Sequence, residues 1–314
     1  MEKIPLGVSS CLLGNSVRYD GGHKLDHYLT DILALFFDFV PVCPEVECGL
    51  PIPREAMRLI GDPEAPRLVT NKTGVDLTDR MLDYCRRKMP ELESHNLCGF
   101  IFKNDSPSSG LHRVKIYHEG SPARSGRGLF ADAFTRHFPL IPVEEEGRLN
   151  DPKLRENFIE KVFSYKRLKD FLASSPGLGD FVKFHTAHKL LMMSHNVVLY
   201  REMGALVAKG KSMEKSKIFN AYEELFMRTL SFQATEKKNA NVLMHILGYF
   251  KKQLTSEEKE EMLNLIELYA KNLVPLVVPV TLIRHYVRKY RDPYLTSQLY
   301  LNPHPAELML RNHV

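Results

Sequence analysis

The sequence of 314 residues has no tryptophan, only five cysteines and no apolar run approaching the roughly 18 residues that a membrane span needs. Its first ten residues lack the long apolar core of a signal peptide, so we expect no export. An odd number of cysteines in a chain of this length does not suit a disulfide scaffold. We therefore expect a cytoplasmic protein without a membrane partner, whose thiols are reduced and available to a metal.

Several catalytic and binding motifs are also missing. Neither GxGxxG nor Walker spacing occurs, so the sequence predicts no nucleoside triphosphate, nicotinamide or flavin cofactor. No Ser-His-Asp or zinc-protease motif is present. What remains is a globular composition with 44% hydrophobic and 26% charged residues, long enough for two domains.

Charge is divided unequally along the chain. Residues 1–150 contain 18 Lys and Arg against 21 Asp and Glu, whereas residues 151–314 contain 25 against 17. A basic half beside a neutral-to-acidic half suggests that one part carries out chemistry while the other holds a polyanion. The alternative is that the extra basic residues only solvate helix faces.

The two halves also differ in their hydrophobic patterns. Residues 1–165 alternate apolar runs with helical periodicity, which predicts an α/β domain with a mostly parallel, layered sheet. The expected strands are Ile4–Ser9, Phe39–Val42, Gly99–Lys103, Val114–Tyr117 and Leu140–Val143, and the expected helices are Leu25–Phe37, Asp76–Met89 and Gly128–His137. Residues 166–314 read as an all-α domain. Its expected helices are Asp180–Ala208, Met213–Leu230, Ala240–Lys252, Thr255–Asn272 and Thr281–Tyr290, with one strand-like run at Val274–Val280.

Chemically reactive residues follow three of the predicted strands. Cys11 follows the first, a loop with Cys43, Glu45 and Cys48 follows the second, and a turn beginning at Ser106 follows the third. Ligands of open α/β sheets bind at the carboxyl ends of the strands, so we expect these residues to meet at one edge.

Three thiols at one edge suit more than one occupant. Zinc prefers four ligands in two closely spaced pairs, and no second pair exists beside Cys43 and Cys48. A 4Fe–4S cluster with one open iron would use three cysteines from separate loops. Buried structural thiols are the third alternative. Glu45 is a candidate acid or base, and the hydroxyls of the Ser106 turn are candidates for binding a carbonyl or an anion.

Two basic clusters stand out in the helical half. Their members are Lys183, Lys189, Arg201, Lys209 and Lys211, and then Arg284, Arg288, Lys289 and Arg291 interleaved with Tyr286 and Tyr290. Such clusters can bind RNA phosphates, or can simply be solvated. His185, His188 and His195 have a spacing compatible with a metal, but core or RNA-contacting histidines fit better because no carboxylate motif accompanies them.

The N-terminal half resembles the bacterial thiouracil desulfidase family. The matching segments are Val8-Ser9-Ser10-Cys11-Leu12-Leu13-Gly14, Val17-Arg18-Tyr19-Asp20-Gly21, Cys43-Pro44-Glu45, Gly49-Leu50-Pro51-Ile52-Pro53-Arg54 and Ser106-Pro107-Ser108. The whole chain resembles the longer, two-domain form that desulfurates 4-thiouridine in tRNA. Segments of the second half that carry this likeness include Phe184-His185, His188-Lys189 and Leu301-Asn302-Pro303-His304-Pro305.

The resemblance implies a non-redox desulfidase with a 4Fe–4S cluster held by three cysteines, whose open iron takes the thiocarbonyl sulfur. By similarity Cys11 and Cys43 are ligands, Glu45 is the acid or base, and Ser106 places substrate or water. The family's third ligand is a cysteine where this chain has Ser109, so the prediction substitutes Cys48. The expected partner is tRNA containing 4-thiouridine. Free thiouracil or a thionucleotide as substrate, or a non-catalytic RNA-binding module, are the alternatives.

Overall fold

The computed structural model describes residues 2–118 and 121–313. The chain divides into two compact units, Met1–Leu154 and Arg155–Val314. The first contains parallel strands with helices and the second is helical, which confirms the predicted order of an α/β half and an all-α half. The boundary expected at residues 165 and 166 falls inside a helix, Pro152–Ala173.

Within the described residues, the first unit contains two four-stranded sheets. The strands are β1 (Ile4–Ser9), β2 (Phe37–Val42), β3 (Met57–Asp62), β4 (Ala65–Thr70), β5 (Phe100–Phe102), β6 (Val114–His118), β7 (Ser121–Gly126) and β8 (Val143–Glu145). The first sheet has the order β2-β1-β5-β8 and all of its pairs are parallel. Because the strands run the same way, the carboxyl ends of β1, β2 and β5 lie at one edge.

The second sheet has the order β4-β3-β6-β7 and mixes parallel and antiparallel pairs. Sequence patterns predicted β6 but missed the hairpin of β3 and β4. Charged residues such as Arg58, Asp62 and Arg67 interrupt both strands of this hairpin, so neither shows the apolar run of a buried strand. Arg54, Ala56 and Met57, which precede and begin β3, line a cavity at the edge of the first sheet.

In the described part of the first unit, the α-helices that lie wholly within it are α1 (Pro44–Glu47), α2 (Thr78–Ser94) and α3 (Leu129–His137). The helix expected at Leu25–Phe37 is instead a π turn at Tyr28–Ile32 and a 3₁₀ turn at Leu33–Leu35, because Phe37 already begins β2.

Aromatic packing holds β5 against α3. The rings of Phe100 and Phe102 stack with centroids 4.3 Å apart, and Phe134 lies 4.8 Å from Phe100. All are buried, and full burial of such a side chain contributes about 1.5–3 kcal/mol. Gly7 of β1 permits this packing, since a Cβ atom there would lie 2.2 Å from the ring of Phe100. The segment after β5 is therefore fixed at the sheet edge.

The remaining helices are α4 (Pro152–Ala173), α5 (Leu178–His195), α6 (Val197–Ala208), α7 (Lys215–Leu230), α8 (Glu236–Tyr249), α9 (Ser256–Ala270), α10 (Val277–Tyr290) and α11 (Pro293–Thr296). The single helix expected at Asp180–Ala208 is broken at Asn196, whose side chain accepts hydrogen bonds from the N–H groups of Val198 and Leu199. The strand-like run before residue 280 is helical from Val277 onward. No helix in the described ranges has the length and apolar character to cross a membrane.

Candidate functional site

A cavity of about 460 Å³ opens at the edge of the first sheet where β1, β2 and β5 end. Cys11 lies in the turn after β1, Cys43 follows β2, and Ser106 belongs to the turn after β5. These three residues and Glu45 all line the cavity. The structure thus brings four of the five predicted site residues together, and the fifth, Cys48, lies elsewhere.

Cys11 and Cys43 are the two thiols that line the cavity. Burial, followed by the proximity of Cys43, raises the pKa of Cys11 to about 11. Burial also raises the pKa of Cys43, whose Sγ lies 3.8 Å from the carbonyl oxygen of Val17. Both groups are therefore thiols near neutral pH, and a bound metal would displace their protons.

Glu45 is held from two sides. Its Oε2 accepts hydrogen bonds from Arg54 Nε at 2.9 Å and Nη2 at 2.5 Å, and its Oε1 accepts one from Ser108 Oγ at 2.8 Å. The side chain of Glu45 is 14% exposed and that of Arg54 is 5% exposed. Since the guanidinium compensates its charge, the carboxylate remains in the cavity with a fixed orientation.

In the turn after β5, several hydrogen bonds involve the hydroxyl of Ser106. Ser106 Oγ accepts hydrogen bonds from the backbone N–H groups of Ser109 at 3.1 Å and Ser108 at 3.3 Å. Its oxygen lies 3.0 Å from Ser108 Oγ. Because the single hydroxyl proton of Ser108 goes to Glu45, the Ser106 hydroxyl donates to Ser108. Ser108, which the sequence analysis did not select, is thus the serine that touches the carboxylate.

Cationic side chains outnumber acidic ones around the cavity. The basic residues lining it are Arg18, Lys24, Arg54 and Lys103, and the acidic residues are Glu45 and Asp105. Lys103 Nζ pairs with Glu146 at 2.5 Å, and Arg18 pairs with Asp20 at 3.5 Å. Together with the pair of Arg54 and Glu45, these ion pairs compensate most of the positive charge of the lining.

Cys48 requires a correction to the sequence-based prediction. It does not line the cavity but belongs to the hydrophobic cluster that also contains Cys85, and its Sγ donates to the carbonyl oxygen of Glu45 at 3.2 Å. Cys43 and Cys48 flank the single helical turn α1 as its N-cap and C-cap residues, so the chain reverses direction between them. The turn therefore directs one thiol to the cavity and the other into the core.

Glu47 has a structural position on α1. Its Oε1 accepts the N–H of Cys43 at 2.7 Å, and its Oε2 accepts from Tyr84 and pairs with Lys88, both at 2.9 Å. It joins α1 to α2 and does not line the cavity.

Two family models match the chain. Residues 6–146 match the family described as 2-thiouracil desulfurase. The first unit belongs to this family. Residues 189–305 match a family described as a protein of unknown function, DUF1722.

Individual relatives of the chain include one solved structure. The [4Fe-4S]-dependent thiouracil desulfidase TudS is 32% identical, covering 48% of this chain and 95% of its own, with a TM-score of 0.38. The protein YbgA of Escherichia coli strain K12 is 27% identical over 165 residues, which are 52% of this chain and 98% of its own. YbbK of Bacillus subtilis strain 168 is 29% identical over 108 residues, which are 33% and 71% of the respective chains.

The donor set in this 2-thiouracil desulfurase unit does not fit a cluster held by three protein thiolates. Cys11 and Cys43 supply two thiols, and the third candidate position in the cavity is Ser109, 4% exposed. The Ser109 hydroxyl has no hydrogen-bond partner in the described part of the chain. Within the same ranges, no three His, Cys, Asp or Glu side chains are grouped to hold a metal ion.

The basic residues of the second predicted cluster differ in whether they form ion pairs with described residues. Arg284, Arg288 and Arg291 line a groove of about 690 Å³, and none forms an ion pair with a described residue. Lys289 instead pairs with Glu258 at 3.0 Å. The interleaved Tyr286 is buried, so it packs within the unit.

The three histidines singled out from the sequence are buried in separate environments. His188 Nδ1 lies 2.8 Å from the carbonyl oxygen of Phe184, and His195 Nε2 lies 2.7 Å from Glu160 Oε1. His185 Nδ1 faces the hydroxyl of Tyr222 at 3.3 Å. They do not share a metal site.

Sequence reasoning missed the roles of Arg54, Lys103 and Ser108. Arg54 appeared only as a residue of a matching segment, although its position after Pro51-Ile52-Pro53 marked it as held by a constrained loop. Lys103 directly follows β5, which is the same strand-end signal that selected Cys11.

Proposed function

We propose that the first unit is a desulfidase that replaces the thiocarbonyl sulfur of a thiolated uracil ring by oxygen. The observation that carries the proposal is the cavity where Glu45, fixed by Arg54 and Ser108, lies beside the paired thiols Cys11 and Cys43. The family match of residues 6–146 supports the same reaction class.

The reaction needs no oxidant or reductant. Water adds to the ring carbon of the thiocarbonyl group, the carbon–sulfur bond breaks, and hydrogen sulfide leaves while the water oxygen remains as the carbonyl. Glu45 is proposed to take the proton of the attacking water as a general base. Arg54 and Ser108 hold the carboxylate for this step, and Ser106 supports it through Ser108.

The cofactor is a separate proposal. TudS is described as [4Fe-4S]-dependent, and an iron–sulfur cluster in this chain would use Cys11 and Cys43 as thiolate ligands. A cluster supplies a soft metal that binds sulfur. Because Ser109 stands where a third thiol is expected, none of the steps above depends on the cluster.

For the substrate we propose 4-thiouridine in tRNA. The unpaired arginines Arg284, Arg288 and Arg291 give the helical unit a surface suited to RNA phosphates, which a free base does not need. Free thiouracil is what the name of TudS gives as its substrate, so it is the alternative to be tested in parallel.

A second candidate function follows from Ser109. With two thiols in the cavity and Cys48 in the core, the chain has the residues of an RNA-binding protein that has lost its cluster. Such a protein would bind tRNA without changing it.

Anaerobic incubation of the full chain with 4-thiouridine-containing tRNA, and separately with free 4-thiouracil, distinguishes these functions. Nucleoside mass analysis and sulfide release are the readouts. We expect uridine and sulfide to form from tRNA. If only free 4-thiouracil were converted, the substrate would instead be the free base. Binding of tRNA without turnover of either compound would support the second candidate.

Glu45→Gln tests the proposed base. It should lower turnover by about 10²–10⁴-fold. Glu47→Gln makes the same chemical change on the same helical turn but outside the cavity, and serves as its matched control. Equal rates for both variants would reject Glu45 as the base.

A further inference from the structure

The helical unit contains a second cavity, of about 550 Å³, between α5, α6 and residues 207–211. Its volume falls within the range of about 300–1,000 Å³ that is typical of small-molecule sites. Neither the desulfidase chemistry nor the arginine groove uses it.

One wall of this cavity includes a hydrogen-bond donor without a partner. His185 is 2% exposed, and its Nε2 has no hydrogen-bond partner in residues 2–118 and 121–313. Burial, together with the charge of Lys189, lowers the pKa of His185 to about 4, so the imidazole is neutral near pH 7.

The neighbouring tyrosine fixes which nitrogen carries the proton. The hydroxyl of Tyr222 is fully buried, burial raises its pKa well above the ordinary value, and His185 Nδ1 is its hydrogen-bond partner at 3.3 Å. Nδ1 is the one hydrogen-bond partner of this buried hydroxyl within the described residues, so the hydroxyl proton is satisfied only when the tyrosine donates to Nδ1, which leaves the proton of the imidazole on Nε2. His185 Nε2, which has no partner among the described residues, is therefore a donor, and a ligand that binds there must provide an acceptor.

The α6 residue next to this donor is a glycine. A Cβ atom on Gly204 of α6 would lie 3.9 Å from His185 Nε2, and no other atom outside its own helix backbone would be so close. Gly204 and His185 both line the cavity, so a methyl group on Gly204 would come into van der Waals contact with the buried Nε2.

Three cations surround the same cavity. Lys189, Arg201 and Lys211 line it, and none of them forms an ion pair with a described residue. No Asp or Glu is among the lining residues. Apolar side chains such as Val182 and Val207 form another part of the wall.

We propose that this cavity binds a phosphate monoester attached to an apolar or aromatic body, with the phosphate at His185 Nε2 and the three cations. Donors without acceptors suit a group that has only acceptor oxygens, and three positive charges suit a dianion. A free nucleoside monophosphate and the 5′-phosphate of an RNA carry this same chemistry. The proposal does not rest on desulfidase activity, because its test needs no thiolated substrate.

Calorimetric titration of the full chain at low salt tests the proposal. The probes are uridine 5′-monophosphate, and one short RNA with and without a 5′-phosphate. Lys211→Gln and Arg201→Gln should each weaken binding of the phosphorylated probe by about tenfold or more. Lys209→Gln removes the same charge from a neighbouring exposed residue that does not line the cavity, and should leave binding unchanged.

Gly204→Ala gives an independent test in a variant that folds, because alanine is favoured over glycine in a helix. It should weaken the same binding, whereas Gly248→Ala in α8, where nothing lies within 4 Å of the new atom, should not. If uridine 5′-monophosphate binds more tightly than the RNA, the natural ligand is a free nucleotide. If the RNA binds more tightly and only with its 5′-phosphate, the natural ligand is an RNA end. Absence of binding by every probe, or equal affinity in Lys211→Gln and Lys209→Gln, would overturn the proposal.

Discussion

Replacing Ser109 by cysteine tests whether the cavity lacks only one ligand. Ser109 lines the cavity with Cys11 and Cys43, and its hydroxyl has no partner in the described ranges. Ser109→Cys therefore exchanges a free hydroxyl for a thiol without breaking a hydrogen bond. Because Ser109 lines the cavity and the substitution only exchanges oxygen for the larger sulfur, we expect a cost of about 1 kcal/mol.

The gain should be visible in metal content and in stability. After anaerobic reconstitution we expect about four irons per chain in Ser109→Cys, with the broad absorption of an iron–sulfur cluster, and a smaller amount in the unchanged chain. A cofactor present at about 100 times its Kd stabilises the folded state by about 2.7 kcal/mol. For a unit of this size that corresponds to a rise in Tm of about 5–10 °C.

Two further variants make the result interpretable. Cys43→Ala should remove the iron from Ser109→Cys, whereas Cys48→Ala should retain it, since Cys48 lies in the core. If Cys48→Ala abolished iron binding, or if Ser109→Cys bound no more iron than the unchanged chain, the assignment of ligands from this geometry would be refuted.

Three other predictions concern positioning, pH and RNA. Ser108→Ala removes the hydrogen bond to Glu45 and should lower kcat by up to about 10²-fold with little change in KM, and Ser108→Thr should restore it. Lowering the pH from 7 to 5 should reduce the free energy of unfolding by about 2–4 kcal/mol, measured by urea denaturation, because His185 and His188 are neutral when folded and protonated when unfolded. Burial sets the folded pKa values of these two residues at about 4 and about 3, so this stability is fully present above the unfolded pKa of about 6.5 and is lost below it. Arg288→Gln should weaken tRNA binding. It should also reduce the slope of the logarithm of the binding constant against the logarithm of salt concentration by about one, which corresponds to one lost phosphate contact.

Each of these has an outcome that contradicts it. An unchanged kcat in Ser108→Ala would mean that Arg54 alone positions the carboxylate. A urea midpoint that does not move between pH 7 and 5 would mean that the two histidines accept protons in the folded state. For the RNA surface, Lys289→Gln is the matched control because Glu258 already neutralises that lysine. Equal effects of Arg288→Gln and Lys289→Gln would show that only net charge matters.

Sequence patterns predicted the parallel sheet because β1 and β5 are continuous apolar runs, and they selected Cys11 and Cys43 because strand ends of a parallel sheet meet at one edge. The sequence patterns did not show where the Cys48 side chain points. Its orientation depends on α1, a single helical turn that is too short to produce a recognisable sequence pattern. Spacing along the chain gives the order of side chains but not the angle between them.

The hairpin of β3 and β4 shows a different reason for failure. Its strands are stabilised by pairing with β6 and with each other, so they tolerate charged residues that a buried strand excludes. Arg54, which precedes this hairpin, was also missed by the sequence analysis. Its partner Glu45 is nine residues away, and no local pattern relates the two.

Arg54 has one more contact: its Nη2 also donates to the carbonyl oxygen of Val17 at 2.9 Å. That acceptor belongs to the main chain, so it survives any replacement of the Val17 side chain, which itself lines the cavity. Residue 17 is thus free to vary with the shape of the ligand while the backbone atom beneath it keeps anchoring the guanidinium. We expect homologous sequences to retain the arginine and the glutamate, whereas the third member of the group is a backbone atom and leaves no trace in a sequence comparison.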